Sequence, residues 1–288
     1  MAKEQSKLKK KSPVPKIVWS ILLILFALLM ITPFLWMLSS SFKLERDVMK
    51  FPIEWIPSNP VLNNYKTVLH IGVKSKNYHF LLAYANSIKV SILATLTSVL
   101  SAMLAGYAFA KLKFKGSNVL FIIYLMQMMV PSQLTLIPRF VAFSELGLVN
   151  THFSIIAPKI ISVSATFMMR QAFMAVPEEL RESAKMDGAG EWKTCWRIMV
   201  PQIRPTIGAM TTVAFLDNWN SYLDPLVFLS DWRLMTLPIA LNQFVSEEGS
   251  KYGLISAACC LTVIPVFIVF LVGQKFFIKG LTVGAVKG

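Results

Sequence analysis

Long apolar runs recur along this chain, separated by shorter stretches that hold most of its charge. A helix needs about 20 residues to cross a hydrocarbon core, and six windows meet that need: roughly 17–38, 86–110, 119–138, 153–176, 205–229 and 254–273. No strand-like alternation of any length occurs, so the pattern predicts an all-α polytopic membrane protein with six transmembrane helices. The first window follows Lys7, Lys9, Lys10, Lys11 and Lys16. Its apolar stretch exceeds the about 7–15 residues of a signal-peptide core, which predicts a retained anchor. The second, VSILATLTSVLSAMLAGYAFA, is rich in the small residues that let helices approach closely in lipid, and should pack inside the bundle. The third holds Gln127, Pro131 and Gln133, and the fourth holds Pro158, Lys159 and Arg170. Lys159 and Arg170 lie toward opposite ends of their window, where long cationic side chains are expected to snorkel to the interfaces.

Between the fourth and fifth windows, PEELRESAKMDGAGEWKTCWRIMVPQIRP reads as a charged helix-turn-helix over about 177–204. Pro177 suits a first helical position, and Glu178, Glu179 and Glu182 place negative charge where the helix dipole favours it. Gly188 and Gly190 follow Asp187 where a left-handed residue would close that helix, and a second helix, Glu191 to Val200, runs to Pro201. Leu180 and Ala184 share a face of the first; Trp192, Cys195, Trp196 and Met199 form an apolar stripe on the second.

The fifth window holds Asp217, Asn218, Trp219, Asn220, Tyr222 and Asp224. A carboxylate at the centre of a membrane helix costs about 2.5–3.5 kcal/mol, so such residues belong beside a watery path or a partner. On a continuous helix Asp217, Asn220 and Asp224 share one face, with Trp219 at a different angle. Amides and carboxylates that bond hydroxyls, with an indole to lie against C–H faces, suit a sugar. The other use of these side chains is to bond across helices or to bend the span before Pro225. Both readings stand at this point. The outer segment, about 39–85 with Pro52, Pro57 and Pro60, is too long for an idle connector.

Charge narrows the function classes. The net charge of +14 accompanies a hydrophobic fraction of 55% and a mean hydropathy of +0.57. The segments 1–16, 111–118, 177–204 and 274–288 hold 17 Lys or Arg, against 9 in the longer outer segments 39–85, 139–152 and 230–253. That asymmetry puts both termini in the cytoplasm and assigns the basic tail 1–16 to topology rather than to nucleic acid. Cys195, Cys259 and Cys260 show no disulfide or zinc spacing, and His70, His79 and His152 show no helical metal pattern, so no metal site is expected. No window offers a nucleophile with a base, and no glycine-rich phosphate loop occurs, so this chain is expected to be no enzyme and to bind no ATP.

Glu182-Ser183-Ala184, Gly188 four positions on, then Ile198 and Val200-Pro201, resemble the EAA loop of ABC importer permeases, with spacing matched at every place. Ser183 stands for an alanine and Val200 for a leucine. Asp187-Gly188-Ala189 and the end QKFFIKGLTVGAVKG are similar to the carbohydrate branch, the maltose and oligosaccharide type, and the likeness extends over ITPFLWMLSSSFK, ANSIKVS, GYAFAKLKFKG and NWNSYLDPLVFL. The resemblance implies a six-helix permease domain over 17–273 and a cytoplasmic tail over 274–288, in a prokaryotic cell membrane. It implies as partners a second permease subunit, two cytoplasmic ATPase subunits holding ATP and magnesium, and an extracytoplasmic solute-binding protein that docks on the outer loop. It also implies that Glu182, Ser183, Ala184, Asp187, Gly188, Ile198 and Pro201 couple the bundle to the ATPase, and that the fifth helix partly lines the sugar route. In some relatives the tail enters the interface between the two ATPases. A permease for another solute such as glycerol phosphate, an ion-coupled secondary transporter and a scaffold subunit are the alternatives.

Overall fold

The computed structural model describes the backbone of residues 14–70 and 79–285, so most of the basic tail and part of the outer loop lie outside the described residues. Helix α1 (Val14–Ser41) leads through α2 (Glu45–Val48) and α3 (Asn63–His70) to α4 (Phe80–Lys111). Next come α5 (Ser117–Met126), which a 3-10 turn extends to Met129, then α6 (Leu136–Glu145), α7 (His152–Ile156) and α8 (Val163–Met174). The charged segment forms α9 (Glu179–Met186), α10 (Glu191–Thr194), a π turn at Cys195–Met199 and α11 (Val200–Gln202). Last are α12 (Arg204–Trp219), α13 (Leu223–Phe228), α14 (Leu237–Glu248) and α15 (Tyr252–Ala285). Among the described residues no strand occurs.

Among the described residues four stretches are long and apolar enough to cross a membrane: 17–41, 80–111, 152–174 and 252–276. The third, fourth and fifth predicted windows are interrupted inside the window, the fourth at 160–162 ahead of α8. The third stops at Met129, next to Pro131, which has no N–H to give. The fifth stops at Trp219 and resumes at Leu223, because Pro225 cannot donate to the carbonyl of Ser221 four residues back. The shared face expected for Asp217, Asn220 and Asp224 therefore does not exist. The sequence also gave no sign of α6 or α14. Helix α15 runs unbroken through Pro265 to Ala285, past residue 273.

Helix α4 is the central post, packed on α8 and α12. Ala83, Ser87, Ser91, Ala94, Ser98, Ala102 and Gly106, three or four apart, form a buried stripe along it, as its small-residue composition predicts. At its end a Cβ on Gly106 would lie 2.7 Å from the Cβ of Met169 and 2.9 Å from the backbone nitrogen of Arg170, so only glycine permits this approach to α8. Helices α12 and α15 meet the same way: a Cβ on Gly208 would lie 2.3 Å from the Phe276 ring, and one on Gly273 would lie 2.2 Å from the Thr212 hydroxyl. Lipid-like surroundings give helices no hydrophobic drive to associate, so close contact of this kind must supply it. Helix α1, by contrast, leans on α15 and leaves its aliphatic length exposed, from Ile17 to Leu38. Such a surface suits hydrocarbon rather than water.

Gly106→Val should separate α4 from α8 and cost about 1–3 kcal/mol of stability, as overpacking does. A lowered Tm of the detergent-solubilised chain is the measurement, with Gly190→Val as the control, in open space at an ordinary φ of −69°.

Candidate functional site

The charged elbow is built from its own backbone first. Helix α9 ends in two bonds that close over its last carbonyls: Ala189 N–H donates to Ala184 O at 2.9 Å and Gly188 N–H to Lys185 O at 3.0 Å. That six-to-one, five-to-two pair requires a left-handed residue at Gly188, whose φ is +77°. Pro177 lies before the helix rather than in it, since Glu178 is the N-cap and α9 begins at Glu179. The second helix does not stop at Pro201 either. Val200 N–H reaches back to Cys195 O, a π turn that shifts the ladder by one residue and lets Pro201 sit in the first turn of α11.

Ionic contacts then clamp the elbow to α4. The Arg181 guanidinium lies 2.7 Å from Glu178 Oε1 and 2.6 Å from Glu191 Oε1, so it ties the start of α9 to the start of α10. Lys185 Nζ also reaches Glu191 Oε1 at 2.6 Å. Tyr107 of α4 donates its hydroxyl to Glu191 Oε2 at 2.8 Å, while its ring stands edge-on to Phe173 of α8. Lys111, buried at the end of α4, donates to Val176 O at 2.7 Å and pairs with Glu178 Oε2 at 3.0 Å. The Arg181 hydrogen bonds, with lesser help from Lys185 and Tyr107, hold the Glu191 carboxyl down at about 2. Burial raises the Glu178 carboxyl, but Arg181 and Lys111 outweigh it and the net shift is downward. Beneath the clamp, Met103, Tyr107, Met169, Phe173, Cys195, Met199 and Ile203 form one apolar cluster. Burial pushes the Cys195 thiol up to about 11, consistent with a packing role.

The residues expected to couple divide by exposure. Ala184 is 3% exposed and faces the clamp, and Ile198 packs on the cluster. Glu182, Ser183, Asp187 and Gly188 are exposed, and Pro201 is half-buried. Met186 at 88% and Trp192 at 67% exposure stand beside them, so the free face of the elbow mixes charge with large apolar side chains. Tyr107, Lys111, Arg181 and Glu191 escaped the sequence reading. Their charges were visible, but Tyr107 and its partner Glu191 are 84 positions apart.

The fifth-window residues do not gather in one place. Asp217 and Asn218 line a cleft of about 140 Å³ between α4, α8 and α12, together with Lys159 and the hydroxyl-bearing Ser98, Ser162 and Ser164. Asn218 Nδ2 also donates to Thr95 Oγ1 at 3.3 Å. Trp219 lies elsewhere: it is 2% exposed, stacked on Phe215 and edge-on to Tyr84 in a second apolar cluster. Asn220 bonds Leu216 O of its own helix, and Tyr222 lines a separate hollow with Leu241 and Val245 of α14. Asp224 is an ion-pair centre, its two oxygens held 2.7 Å from Arg139 Nη2 and 3.2 Å from Lys159 Nζ. That cluster pins α13 to α6 and to the turn after α7. Both cations expected to snorkel have partners within the protein, Lys159 in Asp224 and Arg170 in the Phe121 ring, 4.1 Å from its guanidinium, and in Phe109 O.

Glu191→Gln should release the clamp at a cost of about 1 kcal/mol, the carboxylate being partly exposed. Since the folded value of about 2 lies below the usual carboxylate value of about 4.3, the stabilisation is full above the latter and fades as pH falls toward the former. The Tm gap between wild type and variant is therefore expected at neutral pH and should shrink on acidification.

Comparison with known proteins places this geometry. Residues 98–283 match the family model of the binding-protein-dependent transport system inner membrane component. The chain is 33% identical over 282 residues to the arabinooligosaccharides transport system permease protein AraQ of Halalkalibacterium halodurans, covering 97% of this chain and 99% of that one. It is 32% identical over 276 residues to the lactose transport system permease protein LacG of Rhizobium radiobacter, at 95% and 97% coverage. Its fold matches a chain of a bacterial ABC transporter involved in the import of the acidic polysaccharide alginate, with a TM-score of 0.81 at 24% identity over 96% of this chain and 100% of that one. With the family match spanning well over half of its length, the chain belongs to the inner membrane components of binding-protein-dependent transport systems, as a membrane-spanning transport subunit and not an enzyme.

Proposed function

We propose that this chain is one of two permease subunits of an ATP-driven importer of oligosaccharides, with both termini in the cytoplasm. The observation that carries the reading is the elbow: α9 is clamped to α4 on one side and exposes Glu182, Ser183, Asp187, Met186 and Trp192 on the other. A helix pair held rigidly to the central post, with a free face of charge and large apolar groups, is suited to receive force from two cytoplasmic ATPase subunits. These carry the ATP and magnesium. The free face offers the apolar anchors and charges that protein contacts favour. An extracytoplasmic solute-binding protein delivers the sugar at the opposite end of the bundle, in keeping with the family's dependence on binding proteins.

Alternating access follows from rigid-body motion. When the ATPases close, α9 moves, and Arg181, Glu191 and Tyr107 carry the displacement into α4. Helix α4 in turn walls the cleft at Ser98, opposite Asp217 and Asn218. Hydroxyls, an amide and a carboxylate around such a space offer both donors and acceptors, which suits a neutral sugar better than an apolar solute. The two similar permeases named for arabinooligosaccharides and lactose support the carbohydrate class.

Uptake of labelled oligosaccharide by the reconstituted importer tests the elbow. Glu182→Lys reverses a charge on the free face, and Gly188→Val forces a β-branched residue into a left-handed conformation at a cost of about 1–2 kcal/mol. Both variants are expected to reach the membrane yet lose at least about tenfold in uptake per ATP hydrolysed, the equivalent of about 1.4 kcal/mol of coupling. Unchanged uptake in both would sink the coupling role. For the cleft, Asn218→Leu should lower uptake while the variant still assembles with the ATPases, and normal transport by it would move the route elsewhere.

A further inference from the structure

Under the break in the fifth span lies a small enclosed crevice whose chemistry is not accounted for by protein contacts. Its volume is about 10 Å³, and Ser91 of α4, Asn218, Ser221 at the break, Lys159 and Thr236 are among the residues that line it. That volume suits one water molecule and nothing larger. Two of the lining hydroxyls, Ser91 Oγ and Thr236 Oγ1, are buried with no hydrogen-bond partner in the protein. Ser91 is 1% and Thr236 3% exposed.

The sequence explains why Thr236 is left over. Thr236 is the N-cap of α14, where a hydroxyl ordinarily accepts from an N–H of the first turn. Here Pro238 has no N–H, the Leu237 N–H is taken by Ser87 Oγ at 2.7 Å, and the Ile239 N–H goes to Thr236's own carbonyl. The hydroxyl is thus free to turn away from its helix. Ser91 sits in the small-residue stripe of α4, one turn from Ser87, with no carbonyl or side chain bonded to it. Two buried hydroxyls, each able to donate and to accept, on opposite walls of a one-water space make a water site with the needed partners.

We propose that this crevice binds one ordered water that bridges Ser91 Oγ and Thr236 Oγ1 and so joins α4 to the α13–α14 connection beside the break at Asn220–Tyr222. Lys159 and Asn218 also line the larger cleft next to it, which gives the water its route of exchange. The break in the fifth span is then held to the central post through solvent, a link that can open and re-form without a side chain changing partner.

The test is a map of the assembled importer at a resolution that shows ordered waters elsewhere in the spans. Density within hydrogen-bond reach of both hydroxyls, lost in Ser91→Ala and in Thr236→Val, is the expected result. Direct contact between the two hydroxyls, no density in the wild type, or density at metal–oxygen distance would each overturn the proposal. A double-mutant cycle on Tm supplies an independent readout, since the two residues share no direct bond. Coupling through one water requires the double variant to lose less than the sum of the single losses, and additive losses count against it.

Discussion

A polar group surrounded by hydrocarbon must find its partner inside the protein, and most of this structure is an answer to that constraint. Where the helices are unbroken, the backbone satisfies itself and the exterior can be almost wholly apolar, as along α1. Where they break, side chains take over. Ser101 and Arg170 bond the free carbonyls of Ile160 and Phe109, and Asn86 holds Arg233 O and Met235 O across to α4. The bundle is therefore polar where it is irregular, and irregular near its cleft.

The same constraint sets the Asp224 cluster. A lone carboxylate among Phe140, Phe143 and Phe228 would be costly, and Arg139 and Lys159 make it tolerable by meeting one oxygen each. Arg139 also lies 5.7 Å from the centre of the Phe228 ring. Such a cluster does less for raw stability than for fixing which elements meet, and Asp224 is its key member, because removing it leaves two cations without their shared partner. At the far end the clamp around Glu191 does comparable work in wetter surroundings, where each pair is individually weaker but six side chains share the load.

Much of the elbow was legible from local rules. Gly188 after Asp187 predicts a left-handed closure, and the observed φ of +77° with its two closing bonds is that closure. The run of Ser, Ala and Gly through the second span predicts a central helix, which α4 is. The fifth span was legible only in composition. Pro225 marks a bend, yet helical periodicity places Asp217, Asn220 and Asp224 on one face, although they end in a cleft, on a carbonyl of their own helix and in an ion cluster.

The sequence by itself determined the class of the molecule: helical, membrane-spanning, with a charged elbow of known spacing. Each of those properties depends on residues within a few turns of one another, or on total apolar length, and such information is local. Only the tertiary structure decided which polar groups face a cleft and which satisfy one another. That choice depends on partners far away in sequence, 150 residues between Ser87 and Leu237 and 208 between Glu45 and Gly253, and no periodicity in one helix records what stands across from it.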